Sequence, residues 1–223
     1  MTTVFPPYVM YSDQTGEASG PAVDTVRGVC LTAEITCNVR VEPWARAYAT
    51  ALETPNTLIF SVARRPDRED KFHWIGTVSP YHVRLFSLRE SSVPEVADWH
   101  ALSSFPVAGQ LGDVKAQYLQ NAGFDVEFVP SAETTIRMLY AGRAMLVAGD
   151  SLSLPYRVRA LDIADEDLHI VAQIPELSTE LYLAASLSTD ALLVENLRQA
   201  LDELKRNGSY ERIWSLSGVA PTN

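Results

Sequence analysis

Strand-like and helix-like apolar spacing alternate along two stretches of the chain, one before Tyr81 and one after Phe105. Between residues 21 and 34, apolar side chains recur every three or four positions, which is the spacing of a helix. Short strands that alternate with helices of ten or more residues are typical of β-α-β units. Each stretch therefore predicts a β-α-β-α-β run, and the whole chain predicts an α/β fold.

The individual elements follow from the same spacing and from glycine and proline punctuation. The predicted strands are 3–11, interrupted at Pro6 and Pro7, 36–41, 58–60, 81–88, 105–111, 126–129, 144–148 and 180–186. The predicted helices are 21–34, 44–53, 113–122, 131–141, 189–207 and 209–216. The segment 12–20 is polar and predicts a hairpin-like turn.

Each half of the chain carries polar groups where a predicted strand ends. In the first half they lie between Ser61 and Arg68, and in the second half they are Gly112, Asp113 and Asp150. Ligands of open α/β sheets bind beyond the carboxyl ends of the strands. We therefore expect two lobes that face each other across a ligand-binding cleft.

Three arginines follow the strand at 58–60, in a chain whose formal net charge is −10. Arg64, Arg65 and Arg68 surround a turn at Pro66 and Asp67, so they form a local positive spot on an acidic protein. A guanidinium group matches a carboxylate because it can bind both oxygens at once. The alternative is a solvated turn whose arginines form surface salt bridges with the acidic residues of the turn, Asp67, Glu69 and Asp70.

Composition excludes some classes of function. The acidic balance of the 223 residues disfavours nucleic acid as a partner, since phosphate binding needs a basic face. No apolar stretch approaches the length of about 20 residues that spans a bilayer. The first residues also lack the charged and apolar regions of a signal peptide. If the protein is exported, we therefore expect that its leader was removed or that the domain was cut from a larger chain.

Cysteine and histidine give little further chemistry. The spacing of Cys30 and Cys37 permits a small disulfide loop but does not decide whether it forms. The four histidines are scattered, without the spacing of metal ligands, so we expect neither a metal nor another cofactor. No phosphate-binding loop, dinucleotide fingerprint or nucleophile elbow occurs.

Several motifs, in order along nearly the whole chain, resemble those of the type 2 periplasmic solute-binding proteins of the polar amino-acid group (family 3). These proteins are the substrate receptors of ABC importers. Residues 61–74 resemble the family stretch S-x-T-x-T-x-E-R-x-x-x-F-x-F, and Arg68 occupies the place of its carboxylate-binding arginine. The other matching segments are 5–8, 20–24, 107–112, 141–150 and 207–214.

The resemblance implies a periplasmic-binding-protein-like type II fold with two α/β lobes joined by a two-strand hinge. Lobe 1 would comprise residues 1–82 and 183–223, and lobe 2 residues 83–182, with the connections near 81–88 and 177–185. Such a protein would be monomeric and extracytoplasmic, and it would close its lobes on a small polar ligand, such as an amino acid, for ABC-type import. Its partner would be a membrane permease or a sensor protein.

The resemblance also implies roles for charged residues at the strand ends. Arg68 would bind a ligand carboxylate, with Arg64 as its competitor because Arg64 lies closer to the strand. Asp150 would accept a ligand ammonium, although a turn-forming aspartate is the alternative. Ser61 would present its hydroxyl and backbone groups, although a capped strand end explains it equally well.

The remaining site candidates are two aromatic residues and one acid. Phe5 and Trp44 occupy the places of ligand-facing aromatic residues, with core packing as the alternative. Asp113 replaces a serine or threonine of the family at a predicted helix N-terminus, so the protein's own charge occupies that anion site. This departure disfavours a standard α-amino acid and leaves open a more cationic or differently shaped polar ligand.

Two other functions stay open at the level of sequence. One is an enzyme on the same scaffold, similar to a cyclohexadienyl dehydratase, in which Glu17 or Asp113 would act as acid or base. The other is a ligand-sensing domain that belongs to a larger signalling protein. We expect a binding protein without catalytic residues.

Overall fold

The computed structural model describes residues 1–216, which form a mixed α/β fold. The chain divides into two compact units: Met1–Pro80 together with the chain from Glu180 onward, and Tyr81–Thr179. It passes from one unit to the other twice, after Pro80 and after Thr179. The lobe borders predicted from the sequence, after residues 82 and 182, lie a few residues further along the chain.

The structure contains ten strands and seven α-helices within the described residues. The strands are β1 (Met10–Ser12), β2 (Glu17–Ser19), β3 (Leu58–Ala63), β4 (Phe72–Tyr81), β5 (Val83–Leu88), β6 (Val107–Gln110), β7 (Val126–Val129), β8 (Leu146–Asp150), β9 (Leu168–Gln173) and β10 (Thr179–Ser186). The helices are α1 (Pro21–Thr32), α2 (Trp44–Glu53), α3 (Val114–Asn121), α4 (Ala132–Tyr140), α5 (Ser153–Arg159), α6 (Ala191–Arg206) and α7 (Ser209–Leu216). Three 3-10 helices cover Pro66–Lys71, Trp99–Leu102 and Pro175–Leu177.

The first unit is built on a three-stranded sheet in the order β3-β10-β4, with β1 and β2 as a separate antiparallel hairpin. Strand β10 runs antiparallel to β3, and the register shifts between Tyr182 and Leu183. Helix α1 begins at Pro21, where the missing N–H of proline costs no hydrogen bond, and buries one apolar face. A disulfide joins Cys30 near its end to Cys37.

The second unit is built on a five-stranded sheet in the order β7-β6-β8-β5-β9. Strand β6 runs parallel to β7 and β8, whereas β5 runs antiparallel to β8 and β9. Gly109 allows α3 to pack closely on β6, because a Cβ at this position would lie 2.5 Å from the Cβ of Ala116. The helices α3 and α4 are capped by the side chains of Asp113 and Ser131.

Most predicted elements are confirmed within a few residues, but two predicted strands are wrong. Among the described residues, 3–9 form a single isolated bridge, from Phe5 to Val9, because the interruption expected at Pro6 and Pro7 removes the backbone donors of a continuous ladder. In segment 36–41 the strand pairing that the structure describes is a single parallel bridge from Val41 to Thr2. Conversely, β4, α5 and β9 have no predicted counterpart.

Candidate functional site

The arginine turn follows the end of β3 in the first unit. After Ala63 the chain forms the 3-10 helix Pro66–Lys71 and returns as β4. The amide of Arg68 donates to the carbonyl of Arg65 at 2.9 Å, which closes the turn. The three arginine side chains of this turn have different partners.

The Arg64 side chain is bound to Glu69. Its Nε donates to Oε2 at 2.9 Å, and Nη2 also donates to Oε1. These hydrogen bonds raise the pKa of Arg64 and lower the pKa of Glu69. The guanidinium also lies 5.5 Å from the ring centre of Trp74 and 5.7 Å from that of Tyr182. Arg64 is therefore committed to partners within its own unit.

Arg65 pairs with Asp67, with Nε and Oδ1 3.1 Å apart, and both side chains are mostly exposed. A pair of this kind contributes little to stability, because water already solvates both charges. Arg65 is therefore a solvated residue of the turn with a surface salt bridge, as in the alternative prediction from the sequence.

Arg68 is held differently. Its Nη1 donates to the carbonyl of Ala63 at 3.2 Å, and its Cζ lies 5.6 Å from the ring centre of Trp44 and 5.4 Å from that of Tyr48. No carboxylate of residues 1–216 lies within salt-bridge distance of it. A guanidinium has five N–H donors, so most of them stay available to an anion. Arg68 is thus a positioned cation without an anionic partner in the described chain.

The aromatic residues of this unit form a continuous row of ring contacts. Neighbouring ring centres lie 5.5 to 5.8 Å apart along the row Trp44, Tyr48, Phe72, Trp74 and Tyr182. We call these five residues, with Arg64 and Arg68, the arginine–aromatic cluster. The row gives both guanidinium groups a rigid apolar support.

Phe5 has a different aromatic partner. It is half-buried and stacks on Tyr8, with ring centres 4.8 Å apart and planes 9° from parallel. Trp44 is the aromatic candidate that lies within the arginine–aromatic cluster.

Ser61 lies within β3 in a backbone conformation that is rare for a residue with a side chain. Its φ is 60°, opposite the register shift of β10. Its Oγ is buried and has no hydrogen-bond partner among the described residues. Left-handed backbone and an unpartnered buried hydroxyl are both unfavourable, and such features concentrate at functional sites.

In the second unit, Asp113 uses both of its carboxylate oxygens. Oδ1 accepts from the amide of Lys115 at 2.7 Å and so caps α3. Oδ2 lies 2.8 Å from Nζ of the same lysine. The charge of Asp113 at the helix N-terminus is therefore paired with the adjacent ammonium.

Asp150 ends β8 and is almost completely buried, with 3% of its surface exposed. Its Oδ1 accepts from the amides of Leu152 and Ser153 at 3.1 and 2.9 Å, at the start of α5. Its Oδ2 accepts from the amide of His82 at 3.1 Å. These three donors explain how a carboxylate is retained at this depth.

Tyr81 connects the two acids of the second unit electrostatically. Burial raises the pKa of its hydroxyl. The positive charge of Lys115 lowers this pKa, whereas the negative charges of Asp150 and Asp113 raise it. Asp113, which caps α3, and Asp150, which ends β8, therefore both act on the same tyrosine.

Six residues of these networks are absent from the sequence-predicted site: Tyr48, Glu69, Phe72, Trp74, Lys115 and Tyr182. Tyr48 could have been found, since it lies one helical turn after Trp44. Glu69 is a partner of the turn arginines in the solvated-turn alternative, and that part of the alternative describes its contact with Arg64. Lys115 and Tyr182 have no signal in the spacing, because turn geometry and strand pairing bring them to their partners.

Within the described chain, no group of three or more histidine, cysteine, aspartate and glutamate side chains is arranged to hold a metal ion. The described helices are also too short or too polar to cross a membrane.

Comparison with known proteins covers nearly the whole chain. The sequence profile described as "Bacterial extracellular solute-binding proteins, family 3" matches residues 1–215. A comparison with curated proteins found no match.

The fold is similar to those of solved structures at low sequence identity. The L-cystine solute receptor of Neisseria gonorrhoeae, in its unliganded open conformation, aligns with a TM-score of 0.80 and 16% identity, over 96% of this chain and 89% of that one. The substrate-binding domain 2 of GlnP from Lactococcus lactis aligns with a TM-score of 0.77 and 14% identity, over 95% and 90%. A histidine kinase sensor domain aligns with a TM-score of 0.66 and 21% identity, over 99% and 96%. These likenesses establish the periplasmic-binding-protein-like type II fold.

Proposed function

The chain belongs to the bacterial extracellular solute-binding proteins, family 3, and we propose that it is a receptor that binds a small polar solute for ABC-type import. Two of the structures with the same fold are an L-cystine receptor and a substrate-binding domain. The likeness to these two proteins supports a small solute as the ligand. Membership of an extracellular family supports a location outside the cytoplasm. Closure of the two lobes on the ligand stays a prediction of the sequence.

The single observation that carries the proposal is the state of Arg68. The guanidinium is fixed by Ala63 and two aromatic rings, yet no carboxylate of the described chain pairs with it. A partly buried cation is stabilised when an anion binds, and a carboxylate fits its planar donors. Ser61 and Trp44 complete the proposed site in the first unit, whereas Phe5, Arg64, Asp113 and Asp150 stay site predictions from the sequence.

The cysteine pair supports a place outside the cytoplasm. Cys30 and Cys37 are joined within the first unit, and disulfides persist in oxidising compartments.

The experiment is a thermal-shift screen against amino acids, polyamines, organic acids and small peptides, followed by calorimetric titration of the solutes that raise the melting temperature. We expect at least one solute to bind with one site per chain and to bind much more weakly to the Arg68→Ala variant. Arg65→Ala is the matched control, because Arg65 belongs to the same turn but pairs with Asp67 on the surface. A screen without any stabilising solute would overturn the proposal.

A second candidate function is a ligand-sensing domain of a signalling protein. The observation that favours it is the likeness to a histidine kinase sensor domain over nearly the full length of both chains. Once a ligand is found, deletion of the gene separates the two functions. Loss of uptake of that ligand supports import, and normal uptake with a lost transcriptional response supports sensing.

The proposal is a binding function, and an enzyme on this scaffold makes a different prediction. A binding protein returns its ligand unchanged, whereas a dehydratase-like enzyme consumes it. Chromatography of the ligand after prolonged incubation with the protein distinguishes the two outcomes.

A further inference from the structure

A cavity of about 530 Å³ lies in the first unit beside the start of β3. Segment 36–40 borders it on one side, and residues between 54 and 58 border it on the other. Its lining includes apolar side chains of α1 and α6, namely Val26, Leu193 and Leu197. The arginine–aromatic cluster contributes none of the lining residues, so this cavity is separate from the candidate ligand site.

Met1 lines the cavity and is paired with β3. Its nitrogen donates to the carbonyl of Leu58 at 2.6 Å, and its carbonyl accepts from the amide of Phe60 at 3.2 Å. A residue that bonds to two residues of its neighbour, one on either side of a third, shows the pattern of parallel strands. Met1 therefore lies opposite Ile59, and the chain here runs in the direction of β3.

Thr2 is paired in the same way with the segment on its other side. Its amide donates to the carbonyl of Arg40 at 3.1 Å, and the amide of Glu42 donates to its carbonyl at 2.9 Å. This is the parallel bridge between Thr2 and Val41. Met1 and Thr2 thus form a short stretch of extended chain with a parallel neighbour on each side.

Segment 36–40 lies alongside the cavity without a partner strand in the described chain. Half-buried and exposed residues alternate along it, which is the pattern of a strand. Apart from the carbonyl of Arg40, its backbone groups make no hydrogen bond within the described chain. The segment therefore has the spacing of a strand and borders a cavity on the side where a partner would lie.

From this register we infer that the cavity is a slot for one further β-strand, formed by residues joined to the amino end of Met1. The residue before Met1 would lie opposite Leu58 and Val39, and its side chain would share their face and meet the apolar lining. The sheet of the first unit would then run from segment 36–41 through this strand to β3, β10 and β4. The inference goes beyond the proposed function and does not depend on the ligand.

The surroundings of the Met1 nitrogen support this occupant. Burial, and to a lesser degree the charge of Arg40, lowers the pKa of the amine to about 6. A peptide bond at this nitrogen would keep the hydrogen bond to Leu58 and would not bury a charge. The position therefore suits the interior of a strand.

The experiment places three-residue extensions directly before Met1 in the whole chain, behind a start methionine. The extension Val-Ser-Val turns two valines towards the apolar lining, whereas Ser-Val-Ser has the same length and the opposite alternation. We expect Val-Ser-Val to raise the melting temperature by about 5 °C relative to Ser-Val-Ser. Equal melting temperatures would overturn the inference.

A proline extension tests whether the gain comes from strand pairing. Val-Pro-Val keeps both valines but lacks the backbone donor of the middle residue, so we expect it to give less than about half of the gain. An equal gain would show apolar contact without a strand and would overturn the inference.

Hydrogen exchange provides a measurement that needs no change in stability. The parallel register turns the amides of Asn38 and Arg40 towards the slot, since the amide of Glu42 donates to Thr2. Their exchange should slow by about tenfold in the Val-Ser-Val protein and should not slow in the Ser-Val-Ser protein. Unchanged exchange at both amides would overturn the inference even if the melting temperature rose. Each outcome leaves the proposed function as it is, because Arg68 and its aromatic partners lie outside the lining of this cavity.

Discussion

The strand ends of the two units use charged side chains in different ways. At the end of β3, Arg68 lies over aromatic rings without a carboxylate partner in the described chain, and Ser61 has a buried hydroxyl without a hydrogen bond. At the end of β8, Asp150 accepts three backbone amides, and before α3 Asp113 is bound to Lys115. The first unit leaves polar groups available to a ligand, whereas the second uses comparable groups to hold its own backbone.

The difference teaches that position at the carboxyl end of a strand does not by itself give a side chain a binding role. A polar group there is available only if the adjacent loop does not need it. In β8 the loop turns directly into α5, and its first amides need an acceptor. In β3 the turn satisfies its own groups through Arg64 and Glu69.

The largest effect tests whether Asp150 supports the backbone of the second unit. We expect Asp150→Ala to lower the free energy of unfolding by about 3 kcal/mol, because it leaves buried amides without an acceptor. Urea titration measures the change, and hydrogen exchange of the second unit locates it. Asp125→Ala is the control, since Asp125 is an exposed acid of the same unit. A loss as small as that of the control would show that Asp150 does not support the backbone.

The next largest effect tests whether Arg68 binds the ligand. Arg68→Ala should weaken ligand binding by about 2 kcal/mol, the size of a hydrogen bond to a charged group, and should change the free energy of unfolding by less than about 0.5 kcal/mol. Arg68→Lys should recover only part of the affinity, because an ammonium lacks the planar pair of donors. Titration calorimetry and urea titration measure the two quantities. If Arg68→Ala lowered the free energy of unfolding and left the affinity unchanged, Arg68 would support the fold of the first unit and would not bind the ligand.

Ser61 allows stability and binding to be separated at one position. Ser61→Gly should raise the free energy of unfolding by about 1 kcal/mol, because glycine adopts a φ of 60° without steric strain. The same change should weaken ligand binding through loss of the hydroxyl. Ser61→Ala should weaken binding with a smaller gain in stability, since it removes the unpartnered hydroxyl but its Cβ keeps the backbone strain. A glycine variant that is less stable than the natural protein would contradict this explanation.

The smallest effect concerns the partner of Arg64. We expect Glu69→Gln to weaken ligand binding about threefold, because Glu69 is adjacent to Arg68 and its contact with Arg64 holds the turn. In the Arg68→Ala background the same change should have no further effect on affinity. Equal effects in both backgrounds would show that the two residues act independently.

The same contact has a defined dependence on pH. The hydrogen bonds from Arg64 lower the pKa of Glu69, so the contact is present above the ordinary pKa of 4.5 and is lost as the pH falls through the lowered value. The affinity of Glu69→Gln relative to the natural protein should therefore be constant from neutral pH down to 4.5. The difference should disappear only in more acidic solution.

The sequence predicts much of the fold because most elements have strong local signals. The bounds of α2 and β7 are those expected from apolar spacing, and Asp113 and Ser131 cap the helices that they precede. The strand prediction for 36–41 is wrong because alternation of apolar residues does not reveal whether a partner strand is present. The type II fold itself is predicted by the ordered motifs and not by apolar spacing alone.

The candidate site is less predictable, because partners are set by tertiary contacts. The sequence could not distinguish Arg64 from Arg68 as the available cation, since the choice depends on where Glu69, Trp74 and Tyr182 lie. It also could not show that Lys115 neutralises Asp113. The sequence indicates the types of side chain at the strand ends, whereas tertiary contacts decide which of them pair.

The strand order of the first unit has a consequence for synthesis of the protein. Strand β10 lies between β3 and β4, yet the ribosome makes it only after the whole of the second unit. The second unit is continuous in sequence, so we expect it to fold on the nascent chain while the first still lacks its central strand. A chaperone that binds the nascent chain would then find its exposed apolar surface on β3 and β4.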